Sequence, residues 1–177
     1  MIKINQNGRS MVEMLGVLAI IGILSIGGLG IVGRAKKSHD ISQLIAETAQ
    51  VAMNAKKMAC DYEDGYGTYT NFLIRSQAYP DNFVISGSSF YSTPTDTKFD
   101  IVGSKDAFAI KISEMDEDAC VALASANWGK TRTSGFLGAC FNDCAKPASG
   151  YDNVMDPGTA ATNCSNNATL KIWYKGC

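Results

Sequence analysis

GRSMVEMLGVLAIIGILSIGGLGIVG occupies residues 8–33, and its reading decides the architecture. After Glu13 no charge occurs through Val32. A helix rising ~1.5 Å per residue over that stretch matches the ~30 Å hydrocarbon core of a bilayer. The residues before it are few and polar, with the terminal amine, Lys3 and Arg9 as positive groups. A cleaved secretory signal shares that layout, but its apolar region holds only about 7–15 residues and ends in an Ala-x-Ala-like site. Here the run is longer, and the IVGRAKK that closes it at 31–37 is basic and lacks small residues at that spacing. The apolar segment is therefore expected to be retained as a single-pass anchor.

Glu13 stands at the head of this run, where an acid wants a partner: at the centre of a membrane helix it costs ~2.5–3.5 kcal/mol. An acid that merely snorkels at the membrane edge suits a plain anchor. Gly8-Arg9-Ser10-Met11-Val12-Glu13 followed at once by an apolar helix resembles the prepilin signature of type IV pilins and type II secretion pseudopilins. The resemblance implies that a membrane prepilin peptidase cuts after Gly8 and methylates the new amine of Arg9, where the family more often carries Phe, Met or Leu. It also implies an assembly role for Glu13, whose carboxylate would neutralise the Arg9 ammonium of a neighbouring subunit. One such geometry sets the stagger between copies.

Gly16, Gly22, Gly27, Gly28, Gly30 and Gly33 punctuate the span; they lower helix propensity by about 1 kcal/mol each relative to Ala, yet let neighbouring helices approach closely. After the basic cluster Arg34, Lys36 and Lys37, apolar residues recur at Ile41, Leu44, Ile45, Ala49, Ala52, Ala55 and Ala59. Steps of three and four mark one helix face, so the helix is expected to continue to about Ala59 with an amphipathic second half. The domain plan is a leader at 1–8, a transmembrane and polymerisation half at 9–33, an amphipathic half at 34–59 and a globular head at 60–177. The expected class is α+β: the pilin fold, a long N-terminal helix packed on a small antiparallel sheet with disulfides.

Cys60, Cys120, Cys140, Cys144, Cys164 and Cys177 all follow the span. An even set confined to one side of a membrane fits an oxidising compartment, where thiols pair. Flanking positive charge does not set orientation, since three groups lie on either side of the span; the cysteines place the head in the periplasm. All six are disulfide candidates, and six cysteines allow 15 pairings. In the family a disulfide staples the C-terminal region to the head, a role that suits Cys177; the candidate pairings are Cys120 with Cys177, or Cys140 or Cys144 with Cys164.

Within the head, a short helix is expected from an Asn71 cap to about Tyr79, and strands over 83–85, 99–102 and 107–112. A helix starting at Ser113, with Asp116 three residues on, should reach Ser125; further strands are expected over 134–141 and 169–174. The passage from Asp106 through Leu123, a strand leading into a helix that bears a cysteine, is similar to type IVb pilins of the conjugative and enteric sort.

Catalysis is not expected. His39 is the sole histidine, and no phosphate loop or H-E-x-x-H occurs. Cys140-x-x-x-Cys144 is half of a zinc ligand set at most. Asp61, Glu63 and Asp64, and separately Asp152 and Asp156, lack calcium-loop spacing, so neither metal nor cofactor is expected. With 16 Lys and Arg against 17 Asp and Glu, nothing advertises nucleic acid as a ligand of the head. Tyr62, Tyr66 and Tyr69 offer an adhesive or subunit-contact surface, or simply pack their loop onto the head. The expected function is a structural subunit of an extracellular type IVb-like pilus, with a type II secretion pseudopilin or minor pilin as the alternative. The implied partners are other copies of the chain, the prepilin peptidase, the membrane and an inner-membrane assembly platform. The chain would sit in the inner membrane before assembly and in a surface pilus after it.

Overall fold

The computed structural model describes residues 9–61, 69–104, 106–129, 135–142, 144–147, 154–165 and 168–176, with backbone alone over 9–13, 15–17, 19–31, 59–61, 69 and 104. The expected leader at 1–8 and the residues Glu63, Asp64, Tyr62, Tyr66, Asp152 and Cys177 lie outside the described residues. The chain divides into two units, Met1–His39 and Asp40–Cys177. Helix α1 runs over Arg9–Asp61, past the expected end at Ala59, and only its last part belongs to the second unit.

That second unit is α+β. Six strands, β1 (Phe83–Ser86), β2 (Ser89–Ser92), β3 (Thr97–Ser104), β4 (Ala107–Ser113), β5 (Phe136–Phe141) and β6 (Leu170–Lys175), form one sheet in the order β1-β2-β3-β4-β6-β5. Every pairing is antiparallel. Helices α2 (Tyr69–Arg75), α3 (Glu117–Ser125) and α4 (Pro157–Asn163) lie in the connections.

Period-two alternation explains which face is covered. Phe99 pairs with Ile112 and Ile101 with Ile110, while Phe108, Ile110 and Ile112 pair with Tyr174, Ile172 and Leu170. These residues are all buried, in one cluster with Leu44, Val51 and Ala55 of α1, Leu73 of α2 and Leu123 of α3. On the alternate positions Asp100 pairs with Lys111 and Lys111 with Lys171, the mixed-charge pattern of a face that meets water. The β3–β4 hairpin requires its glycine: at Gly103, with φ at 155°, a Cβ would stand 2.4 Å from the Phe108 backbone.

Two helix starts differ from the sequence reading. Asn71 is the third residue of α2 rather than its cap; the helix starts earlier, and Thr70 is buried with its hydroxyl accepting from the Ile101 amide at 2.7 Å. Ser113 is the last residue of β4, and Glu114 follows with φ at 59°. A left-handed residue cannot continue a helix, so α3 begins only after Asp116, whose carboxylate accepts from the Ala119 amide at 2.7 Å.

Candidate assembly site

Gly8 lies outside the described residues. Arg9 and Glu13 fall in the first turns of α1, about 6 Å apart along the helix axis, with their side chains outside what is described. The described side chains of the apolar half are Met14, Leu18 and Val32, exposed by 66%, 62% and 66%. Fourteen, 18 and 32 fall on a single stripe, since five helical turns take up about 18 residues. The expected membrane span falls on 14–32, where most side chains lie outside the described residues; among the described residues no helix is long and apolar enough to cross a membrane.

In the second half of α1 the covered face is Leu44, Glu47, Thr48, Val51, Ala52 and Ala55. Ile41, Ile45 and Ala49 are partly buried, so the apolar stripe read from sequence is rotated slightly from the true contact line. Glu47 is the residue that stripe missed. It is 5% exposed and accepts hydrogen bonds from Ser92 Oγ at 2.7 Å, from Gln43 Nε2 at 2.8 Å and from Asn82 Nδ2. A buried carboxylate without donors would be strongly unfavourable, whereas hydrogen bonds to a charged group each contribute about 1.5–3 kcal/mol. Glu47 thereby ties α1 to β2 and to the turn that precedes β1. Its signal in the sequence was a lone acid three residues after Leu44 and four before Val51, inside an otherwise apolar face. Asn54 Nδ2 adds a further tie, to the Ala78 carbonyl at 2.9 Å.

Beside this contact runs an apolar groove of about 690 Å³ lined by Ala46, Ala49, Met53, Trp128 and Tyr174. The Trp128 indole donates to the Leu123 carbonyl at 2.9 Å, which fixes the groove wall to the end of α3. Burial pushes the Tyr174 phenol well above its ordinary range, because the phenolate would lose its hydration. Compared with protein-family models, curated proteins and solved structures, the chain matches none. Its chemistry therefore rests on its own residues.

The disulfides differ from the candidate pairings offered by the sequence. Cys120 of α3 joins Cys164, the C-cap of α4, rather than Cys177, and Cys140 joins Cys144 rather than either joining Cys164. The reason is spatial: α3 and α4 pack together, so Cys120 meets the segment just before β6. The Cys140–Cys144 bond consumes both thiols that could have formed half a zinc site, and among the described residues no cysteine is free. Asp156, one of the candidate calcium acids, caps α4 by accepting from the Gly158 and Thr159 amides at 3.0 and 3.2 Å. Among the described residues no group of acids, histidines and cysteines is gathered for a metal. His39 is exposed and belongs to the first unit.

Proposed function

We propose that the chain is a structural subunit of an extracellular type IV pilus of the type IVb-like kind. In this reading it is cut by a prepilin peptidase after Gly8, methylated on Arg9 and polymerised through the first half of α1, with Glu13 setting the stagger. It is not an enzyme. The head waits in the periplasm while the apolar helix is held in the inner membrane, and an assembly platform there extracts it into the filament. The observation that carries this reading is the run from Gly8 through Glu13 into an uncharged stretch at the start of one continuous helix. Support comes from the second half of that helix, buried against an antiparallel sheet, and from disulfides confined to the part beyond the apolar run.

The deciding experiment expresses the full chain with and without a prepilin peptidase and determines the mature N-terminus by intact mass and peptide sequencing. The expected result is a peptidase-dependent start at Arg9. An uncut Met1 in both strains, or a cut beyond Val32, overturns the proposal.

A further inference from the structure

We propose that the Cys140–Cys144 disulfide is a site of reversible thiol–disulfide exchange, attacked at Cys144 by a dithiol while the protein stays folded, and that Cys120–Cys164 is the permanent staple. This holds whether or not the chain polymerises, since it asks only that the thiols have paired.

The two bonds differ in each property that governs exchange. The first is access. Cys120 is 0% and Cys164 6% exposed, both belong to the core cluster, and their bond joins α3 to the end of α4; a thiol reaches it only if those helices part. Cys140 and Cys144 are partly exposed and lie outside that cluster. They sit at an edge of the sheet, where β5 pairs, among the described residues, with β6 alone. The second is what each bond secures. Cys120 and Cys164 are 44 positions apart in the sequence, Cys140 and Cys144 only 4, and the shorter ring restricts the unfolded chain less. The short bond also joins no two elements, because Cys140 belongs to β5 and Cys144 to the irregular segment after it. The end of β5 is held without it, by the Asn142 amide donating to the Thr169 carbonyl at 2.7 Å. Opening this bond therefore leaves core and sheet in place, and exposed disulfides of that kind are the labile ones.

Charge selects the sulfur. Cys140 pairs directly with Lys171 of β6, Lys171 with Lys111 of β4, and Lys111 with Asp100 of β3. Residues paired in this way share one face of the sheet, with Cβ atoms about 4.5–5.5 Å apart. Cys140 thus has a lysine as its cross-strand neighbour and a second one strand further, before the row reaches an acid. Nearby positive charge favours the thiolate, and the sulfur that makes the better thiolate is the better leaving group. One thiolate of the dithiol attacks the Cys144 sulfur, the bond between the two cysteines breaks, and Cys140 departs as a thiolate that takes up a proton. The second thiolate of the dithiol then attacks its own partner sulfur in the mixed disulfide, and Cys144 departs and is protonated in turn. The chain gains two electrons and two protons, and the dithiol, which loses them, becomes a disulfide.

The test uses the full chain purified in its oxidised form in detergent, exposed to dithiothreitol for graded times, quenched by alkylation, digested with trypsin and mapped by mass spectrometry. Cys120 falls in peptide 112–130, and Cys140, Cys144 and Cys164 fall together in 133–171, because Pro147 protects Lys146. The expected result is 133–171 alkylated at Cys140 and Cys144 while still linked to 112–130, at a rate roughly a hundredfold above the loss of that link. The rate should not change in urea below the unfolding transition. Reduction of both bonds together, or a rate that climbs with urea in that range, overturns the proposal. Reduced glutathione, a monothiol, locates the attack: the mixed disulfide should form on Cys144, and an adduct on Cys140 instead overturns the choice of sulfur. Lys171→Gln, in which the peptide extends to Lys175, should slow exchange about threefold. Lys171→Arg should restore the rate, with thermal unfolding of both variants as in the wild type. An unchanged rate in Lys171→Gln overturns the role given to the charge.

Discussion

The two halves of α1 share one backbone conformation and differ in what covers them. From Leu44 to Ala55 the inward face is buried by the chain's own sheet and by Leu73 and Leu123. At Met14, Leu18 and Val32, by contrast, nearly two thirds of each residue is exposed. Burying a Leu or Met side chain is worth about 1.5–3 kcal/mol, so the second half is secured by folding alone. At Met14, Leu18 and Val32 that energy is not gained within the single chain. Under the filament proposal, stability and assembly are written on separate stretches of one helix, and an assay of one is blind to the other.

The sharpest way to break this comparison is at Glu13. Removing one member of a buried ion pair costs about 3–5 kcal/mol, so Glu13→Ala should reduce filaments recovered by shearing more than a hundredfold. Thermal unfolding of the detergent-solubilised subunit should stay unchanged; a lowered midpoint would mean that Glu13 serves the head and not assembly. A smaller effect separates Leu44→Ala from Leu18→Ala. The first should lose ~3 kcal/mol by chemical denaturation, as large-to-small core substitutions do, and the second less than about 0.5 kcal/mol. Equal losses would erase the distinction between the halves.

The smallest expected effect concerns Tyr174 at the groove beside the second half. Its phenol is raised in the folded state, so the unfolded chain releases that proton first, near pH 10. The contribution to stability is whole below that pH and declines as pH rises above it, by at most about 1.4 kcal/mol per unit for one proton. Denaturant titrations of wild type and Tyr174→Phe between pH 9 and 11.5 should diverge in slope, with the variant flatter. Parallel curves would show that α1 does not shield this residue.

Strands β3, β4 and β6 were legible because β-branched and aromatic residues alternate along them, as in AFAIKI and LKIWYK. Helix α1 was legible for the same kind of reason, a period of three to four. Strand β2 was not: SFYS is four residues long and half hydroxyl, and only its pairing with β1 and β3 makes it a strand. Helix α4 also escaped, since PGTAATN has no apolar stripe, and its sole signature is Asp156 ahead of Pro157. The misplaced start of α3 came from reading Ser113 as a cap when the β3 register had already claimed it opposite Lys98. Glu47 was passed over because a carboxylate counts as polar in any periodicity, and only the folded chain reveals Ser92, Asn82 and Gln43 converging on it. The partnership of Cys120 with Cys164 depends on α3 meeting α4, a long-range property that spacing does not encode.

The sheet order has a consequence for biogenesis. Strand β6 follows both β4 and β5 in the chain, yet it lies inside the sheet, between them. Until β6 is in place, β5 has no strand to pair with and Phe108 lacks its stacked neighbour Tyr174. Domains generally fold as units during synthesis at about 5–20 residues per second; this sheet closes only once β6 has joined it. The sheet thus closes from within, and the order in which its strands pair differs from their order along the chain.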